Sequence, residues 1–124
     1  MATKEEHLIK YRTNKNILEN VLDVKQGEHS DWITTVSFYA ALHVIESVFA
    51  KQRIDNRTHL EREKKILETD LISRKVADKY QQLKTYSRIA RYGPSCITPT
   101  ISAYSKVLLK DIEESLLDKD EIQK

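Results

Sequence analysis

The hydrophobic pattern is densest between Asp31 and Lys51, a stretch without Gly or Pro in which apolar residues point in nearly every direction. At 100° per residue, one strip of a helix carries Phe38, Leu42, Ile45 and Phe49. A second facet mixes aromatic and hydrogen-bonding groups and carries Trp32, Val36, Tyr39 and His43. A helix that is hydrophobic all round is normally enclosed by other elements. We therefore predict a central helix, covered on all sides, in a helical bundle.

A first helix precedes this central segment. Thr3 and Glu6 have the spacing of a capping box, which predicts a helix that begins directly after Thr3. Its expected buried side carries Leu8, Tyr11, Leu18 and Leu22. Gly27 predicts the end of this first helix, and Ser30 or Asp31 is expected to cap the central helix.

A short helix is expected after the polar connection that follows the central segment. Thr58 and Glu61 again have capping-box spacing, so this helix should begin at His59. Leu60 and Leu67 lie seven residues apart, which places them on one helical face. We expect that face to point into the core.

Thr69 and Asp70 are expected to interrupt or bend the short helix, and a longer helix is predicted over about residues 71–92. The periodic positions of the longer helix are Val76, Tyr80, Leu83, Ser87 and Ala90. Gly93-Pro94 should end it, because proline disfavours helical geometry in the residue before it.

Pro99 at the first helical position, after Thr98 as cap, predicts the last helix. Its apolar face is expected to carry Ile101, Tyr104, Leu108, Ile112 and Leu116. The charged tail, residues 118–124, is expected to fray. The pattern as a whole predicts an all-α, up-and-down bundle of four to five helices, forming a single domain over residues 1–124 with its core at about 4–118.

Composition indicates the class of protein but not its biochemical function. Charged residues make up 32% of the 124 residues and hydrophobic residues 40%, which is typical of a globular domain. A net charge of +2 is too small to indicate nucleic-acid binding by itself. No apolar run approaches the roughly 20 residues that span a bilayer, and the N-terminus lacks the apolar core of a signal peptide. We predict a cytoplasmic protein without membrane attachment.

Motifs for catalysis and cofactor binding are weak. The four histidines lie on different predicted elements without a metal-binding spacing, so we predict no metal site. The single cysteine, Cys96, rules out an internal disulfide and has no histidine near it in sequence, which favours an ordinary thiol over a nucleophile. Two glycines cannot build a phosphate-binding loop, and no cofactor is predicted.

One constellation of polar residues remains, and it consists of Tyr39, His43, His59, Arg88, Arg91 and Tyr92. Three interpretations are open. Tyr39, His43 and Arg88 could satisfy one another as a buried polar cluster that fixes the register of two helices. The group could instead bind a phosphate or nucleotide, since Lys84, Arg88 and Arg91 share one helical side and His59 begins a helix. The third interpretation is a catalytic site.

The order of FYAALHVIES, NRTHLEREK and YQQLKTYSRIARY resembles the HEPN domain family, whose name stands for higher eukaryotes and prokaryotes nucleotide-binding. The resemblance covers about residues 31–116. It implies a four- or five-helix bundle, often a homodimer, often encoded beside a nucleotidyltransferase-like partner in toxin–antitoxin or defence systems. The sequence adds apolar residues expected on outer faces, such as Ile9, Ile89 and Leu109.

Ribonuclease members of the family carry an Arg, a polar residue, three to five further residues and then a His on one helix. Here no His follows Arg88, the best-placed arginine. Arg53 lies six residues before His59, but across the polar connection and with Ile54 at the polar position. We therefore predict a non-catalytic HEPN-like interaction or accessory domain. The alternatives are a divergent metal-independent ribonuclease that uses His59 or His43 with Arg88, and a domain that binds a nucleotide, RNA or another anion.

Overall fold

A computed structural model describes residues 2–22, 29–93 and 97–123 of the chain. Their helices are α1 (Lys4–Asn20), α2 (Ser30–Lys51), α3 (His59–Glu68), α4 (Arg74–Tyr92), α5 (Pro99–Leu116) and α6 (Lys119–Gln123). The described ranges contain no strand, and the predicted all-α class is confirmed. The predictions made for Gly27, Pro94 and Cys96 lie outside the described residues.

Helix α2 is the centre of the bundle and packs against α1, α4 and α5. Its predicted strip is buried, with Phe38, Ile45 and Phe49 fully enclosed. The aromatic facet departs from the prediction of complete enclosure. Trp32 is 65% exposed, and His43 is only partly buried. Trp32 lines an open cavity with Thr35 and Arg91, so the neighbouring helices do not enclose its ring.

Helix α2 is also long and apolar enough to cross a membrane by length and composition, contrary to the sequence-based expectation. It is the one such helix in the described part of the chain. The core helix of a bundle meets the same criterion, and 78% of the most apolar window of α2 is covered by the rest of the protein. This feature is therefore weak support for a membrane span.

The predicted helix starts are mostly confirmed at atomic detail. Thr3 forms the full capping box with Glu6, and the Thr58 hydroxyl accepts the Glu61 N–H at 3.1 Å. Thr98 caps α5, which opens on Pro99 as expected.

The predicted cap of α2 is wrong. His29 occupies the cap position without a side-chain hydrogen bond, and Ser30 is already helical. The Asp31 carboxylate instead accepts the backbone N–H of Ile97 at 2.8 Å, which ties the start of α2 to the segment before α5. A long-range hydrogen bond has replaced the expected local one.

The orientation of α3 differs from the prediction. Leu60 and Leu67 are 68% and 75% exposed, and the buried residues of α3 are Arg62 and Ile66. The physical reason is the buried carboxylate of Glu46 on α2, which forms an ion pair with Arg62. A buried charge is strongly destabilising without a partner, so the helix turns its arginine inward and leaves both leucines on its flank.

The C-terminal part of the chain also departs from the expected pattern. Leu108 and Ile112 are buried as predicted, but Tyr104 is 43% exposed and Leu109 is buried, although it was expected on an outer face. Within the tail, α6 covers Lys119–Gln123. Asp118 caps α6 by accepting the Glu121 N–H at 2.8 Å.

Candidate anion-binding site

The start of α3 and the second half of α4 border an open pocket of about 410 Å³. Positions 84, 88 and 91 of α4 lie on one side of that helix because they are separated by four and three residues. We call this cavity the basic pocket, and it is lined by His59, Leu60, Glu63, Lys84, Arg88, Arg91 and Tyr92. Most of its polar side chains are cationic or can become so.

The three cations of the basic pocket have different surroundings. Lys84 forms an ion pair with Glu63 across the gap between α4 and α3. Arg91 donates a hydrogen bond from Nη1 to the Tyr39 hydroxyl at 2.6 Å. Arg88 is exposed and has no hydrogen-bond or ion-pair partner within the described ranges. One carboxylate therefore faces three cations, and the charge of Arg88 is left for a ligand.

Aromatic rings hold the Arg91 guanidinium in place. Its Cζ lies 5.9 Å from the ring centroid of Phe38, 5.4 Å from that of Tyr39 and 5.2 Å from that of Tyr92. Such cation–π contacts are each attractive by roughly 0.5–2 kcal/mol. Arg91 also lines a second cavity, together with the exposed Trp32.

A buried chain of polar contacts leads from α2 to the basic pocket. Glu46 pairs with Arg62, and the Asn56 amide donates to Glu46 at 3.4 Å. Nη1 of Arg62 lies 2.9 Å from Nδ1 of His59. Because a guanidinium can only donate hydrogen bonds, Nδ1 of His59 must accept. The neutral His59 ring then carries its proton on Nε2.

The same contact discourages protonation of His59. Partial withdrawal of the ring from water lowers its pKa, and the nearby charges of Arg62, Lys84 and Arg91 lower it further. His59 is thus a neutral hydrogen-bond donor at physiological pH, with its Nδ1 lone pair already used. A general base needs a free lone pair, which this arrangement denies to Nδ1.

His43 lies apart from the basic pocket. Its Nδ1 is 3.1 Å from Nδ1 of His7 on α1, so one ring must donate and the other accept. Burial lowers the pKa of His43 to about 4, with smaller contributions from the charges of His7, Lys10 and Arg62. The two neutral rings form a contact between α1 and α2.

Four of the six predicted site residues, namely His59, Arg88, Arg91 and Tyr92, line the basic pocket. Tyr39 joins them through its hydrogen bond with Arg91. The interpretation in which Tyr39, His43 and Arg88 satisfy one another does not match these contacts, because His43 pairs with His7 and Arg88 faces solvent.

Sequence reasoning missed Glu46, whose ion pair positions Arg62 and through it His59. A usable signal was present in the sequence. Glu46 is the one Asp, Glu, Lys or Arg between Asp31 and Lys51. A carboxylate in the middle of an enclosed helix needs a cationic partner, and Arg62 was available on the next helix.

No three His, Cys, Asp or Glu side chains come together as a metal-binding group in residues 2–22, 29–93 and 97–123. The basic pocket itself offers one imidazole and one carboxylate, and that carboxylate is already paired with Lys84.

No protein-family model matches this chain, and no curated protein is detectably similar to it. The HEPN resemblance therefore stays a prediction.

Proposed function

We propose that this protein is a non-catalytic accessory domain that binds an anionic group, such as the phosphate of a nucleotide, in the basic pocket. The observation that carries the proposal is the convergence of Lys84, Arg88 and Arg91 on one cavity beside His59 and Tyr92. An arginine is a strong partner for phosphate because its planar fork donates two parallel hydrogen bonds.

The surroundings of Arg88 support binding of a ligand over a purely structural role. Arg91 and Lys84 are held by Tyr39 and Glu63, which keeps their positive charges at the wall of the pocket. Tyr92 is 79% exposed and offers a ring face beside these charges. A phosphate on Arg88 with a base near Tyr92 is the arrangement that fits a nucleotide.

The proposal is tested by thermal unfolding with inorganic phosphate, ATP or a short RNA. A ligand that binds only the folded state at ten times its Kd adds about 1.4 kcal/mol to the free energy of unfolding. We expect this gain in the wild type and its loss in Arg88→Ala. Arg74→Ala is the matched control, because Arg74 is also an exposed arginine and lies at the other end of α4. Equal gains in both variants, or no gain in the wild type, would refute the site.

Ribonuclease activity is the second candidate, and one observation favours it: His59 and Arg88 line the same pocket. The engagement of Nδ1 by Arg62 argues against His59 as the base. Purified protein should leave total RNA intact. RNA cleavage that both His59→Ala and Arg88→Ala abolish would replace the accessory role with an enzymatic one.

The assignment to HEPN-like proteins and its implications belong to the same proposal. They comprise a homodimer, a nucleotidyltransferase-like protein partner and a cytoplasmic location in a toxin–antitoxin or defence system. The helical bundle and the order of the motifs on α2, α3 and α4 support them. Light scattering of the purified chain tests the homodimer, and co-purification with the product of a neighbouring gene tests the partner.

A further inference from the structure

A second, mainly apolar cavity lies along the same two helices and shares one lining residue with the basic pocket. This second cavity has a volume of about 240 Å³, and Glu63 lines both cavities. It is lined by Glu63, Ile66, Leu67, Arg74, Ala77, Asp78, Tyr80 and Gln81. We call the two cavities together the α3–α4 groove. The central part of the groove, between Ala77 and Arg88, covers about 16 Å along α4, at 1.5 Å per residue.

The two ends of the α3–α4 groove differ in chemistry. Lys84, Arg88 and Arg91 make one end basic, while Ile66, Ala77 and the ring of Tyr80 make the other end mainly apolar. Leu60 and Leu67 stand along the α3 side of the groove with 68% and 75% of their surfaces exposed. Exposed leucines along a groove rimmed by polar residues are typical of a surface that a partner covers.

We propose that the α3–α4 groove binds a helical segment of a partner protein that carries acidic residues at one end and apolar residues at the other. The central part of the groove matches about three helical turns. The acidic end would pair with Arg88, and the apolar side chains would cover Leu60 and Leu67. This mode is the insertion of an amphipathic helix into a groove, with anchors spaced three, four and seven residues apart.

A foreign segment fits the groove better than a second copy of this chain. In the described part of the chain outside the groove, one helical face carries two exposed large apolar residues near an acidic one: α5 has Tyr104 and Val107 followed by Asp111. Asp111 already pairs with Lys79 at 2.9 Å, and the Tyr104 ring contacts that of Tyr86. Using this face would break contacts that hold α5 to α4.

This inference rests on the proposed function, because both use Arg88 as the anchor for a negative charge. It adds Leu67, which lies outside the basic pocket and plays no part in the binding of a free phosphate. Leu67→Asp and Arg88→Glu therefore separate the two ideas. Both residues are exposed, so both variants should fold.

A display library of fourteen-residue helical peptides, panned against the wild-type protein with counter-selection against the Leu67→Asp variant, tests the groove. We expect enriched peptides to share acidic residues near one end and apolar residues three, four or seven positions apart. A labelled peptide of this kind should bind about tenfold more weakly to Leu67→Asp and to Arg88→Glu, a loss of about 1.4 kcal/mol. Ile9→Asp, an exposed position on α1, is the control and should bind normally.

Three results would overturn the groove. In the first, no enriched peptide binds the wild type more tightly than Leu67→Asp. In the second, peptide binding is weakened by Arg88→Glu alone. In the third, the protein forms a concentration-dependent dimer that Leu67→Asp abolishes. Thermal unfolding of the same variants with inorganic phosphate distinguishes a failure of the groove from a failure of the basic pocket. Phosphate stabilisation in wild type and Leu67→Asp but not in Arg88→Glu would leave the basic pocket standing without the groove.

Discussion

Glu46 and Glu113 are both buried carboxylates with a cationic partner, yet they have different consequences for the molecule. Glu113 on α5 binds Lys15 at 2.6 Å and accepts a hydrogen bond from the Tyr11 hydroxyl, which joins α1 to α5. From Lys15 the contacts pass to the exposed Glu19, 3.8 Å away on the same helix α1.

The contacts of Glu46 lead to the basic pocket instead. Its partner Arg62 is 8% exposed and passes the interaction on to His59 at the rim of the basic pocket. The comparison teaches that a buried carboxylate can serve packing alone or can also position a site. The burial of the cationic partner decides between these two roles. A buried arginine needs further hydrogen-bond acceptors within the protein, whereas a lysine whose ammonium group reaches water does not.

Substitution of Glu46 is expected to have the largest effect on stability. Glu46→Ala leaves Arg62 buried without its carboxylate, and we expect a loss of about 3–5 kcal/mol in the free energy of unfolding by urea denaturation. The double variant Glu46→Leu with Arg62→Met removes both charges and should recover most of that stability. A double variant as unstable as Glu46→Ala would show that the ion pair itself stabilises the fold.

The double variant also tests the positioning of the site. Without Arg62, Nδ1 of His59 is free to carry the proton, so the ¹⁵N shifts of the ring should lose the pattern of a pure Nε2–H tautomer. Phosphate stabilisation should weaken at the same time. An unchanged tautomer would contradict the view that Arg62 orients His59.

The same comparison shows which parts of the fold could be predicted from the sequence. The central helix and the caps of α1, α3 and α5 were predictable because apolar density and capping are local signals. The orientation of α3 was not. Hydrophobic periodicity alone favoured Leu60 and Leu67 for the core, and only the tertiary pairing of Glu46 with Arg62 turns α3 the other way.

The site was predictable in part for a related reason. Arg88, Arg91 and Tyr92 share the end of one helix, so their proximity was visible from spacing. The pairing of His43 with His7 depends on how α1 packs against α2, which local signals do not specify.

A smaller effect is expected at Glu113. Glu113→Gln keeps an oxygen that can accept the Tyr11 hydrogen bond and releases Lys15, whose side chain is 23% exposed, to water. We expect a loss of about 1–2 kcal/mol in urea denaturation, with phosphate stabilisation unchanged. A loss as large as that of Glu46→Ala would mean that the two carboxylates are equivalent and that the comparison fails.

The Glu46 side of the bundle should also respond to pH through His43, whose pKa falls to about 4 in the folded state from an ordinary value of 6.5. The unfolded chain then binds more protons than the folded one between these values, so stability is lost as the pH falls from 6.5 toward 4. We expect about 2 kcal/mol of this loss to disappear in His43→Gln. Comparing the wild type with His43→Gln removes the contribution to the pH dependence from carboxylates that titrate in the same range. Parallel curves for the two proteins would show that His43 does not titrate in this way.

The smallest effects are expected on the flank of α3, and they test the orientation on which the Glu46 argument depends. Leu60→Gln and Leu67→Gln should each change the free energy of unfolding by no more than about 0.5 kcal/mol, because both side chains are exposed. Ile66→Ala, one turn after Arg62 on the buried face, should cost about 2–4 kcal/mol. If the leucine variants were the costly ones, α3 would present its leucines to the core. Arg62 could then not reach Glu46, and the chain of contacts to the basic pocket would be broken at its first link.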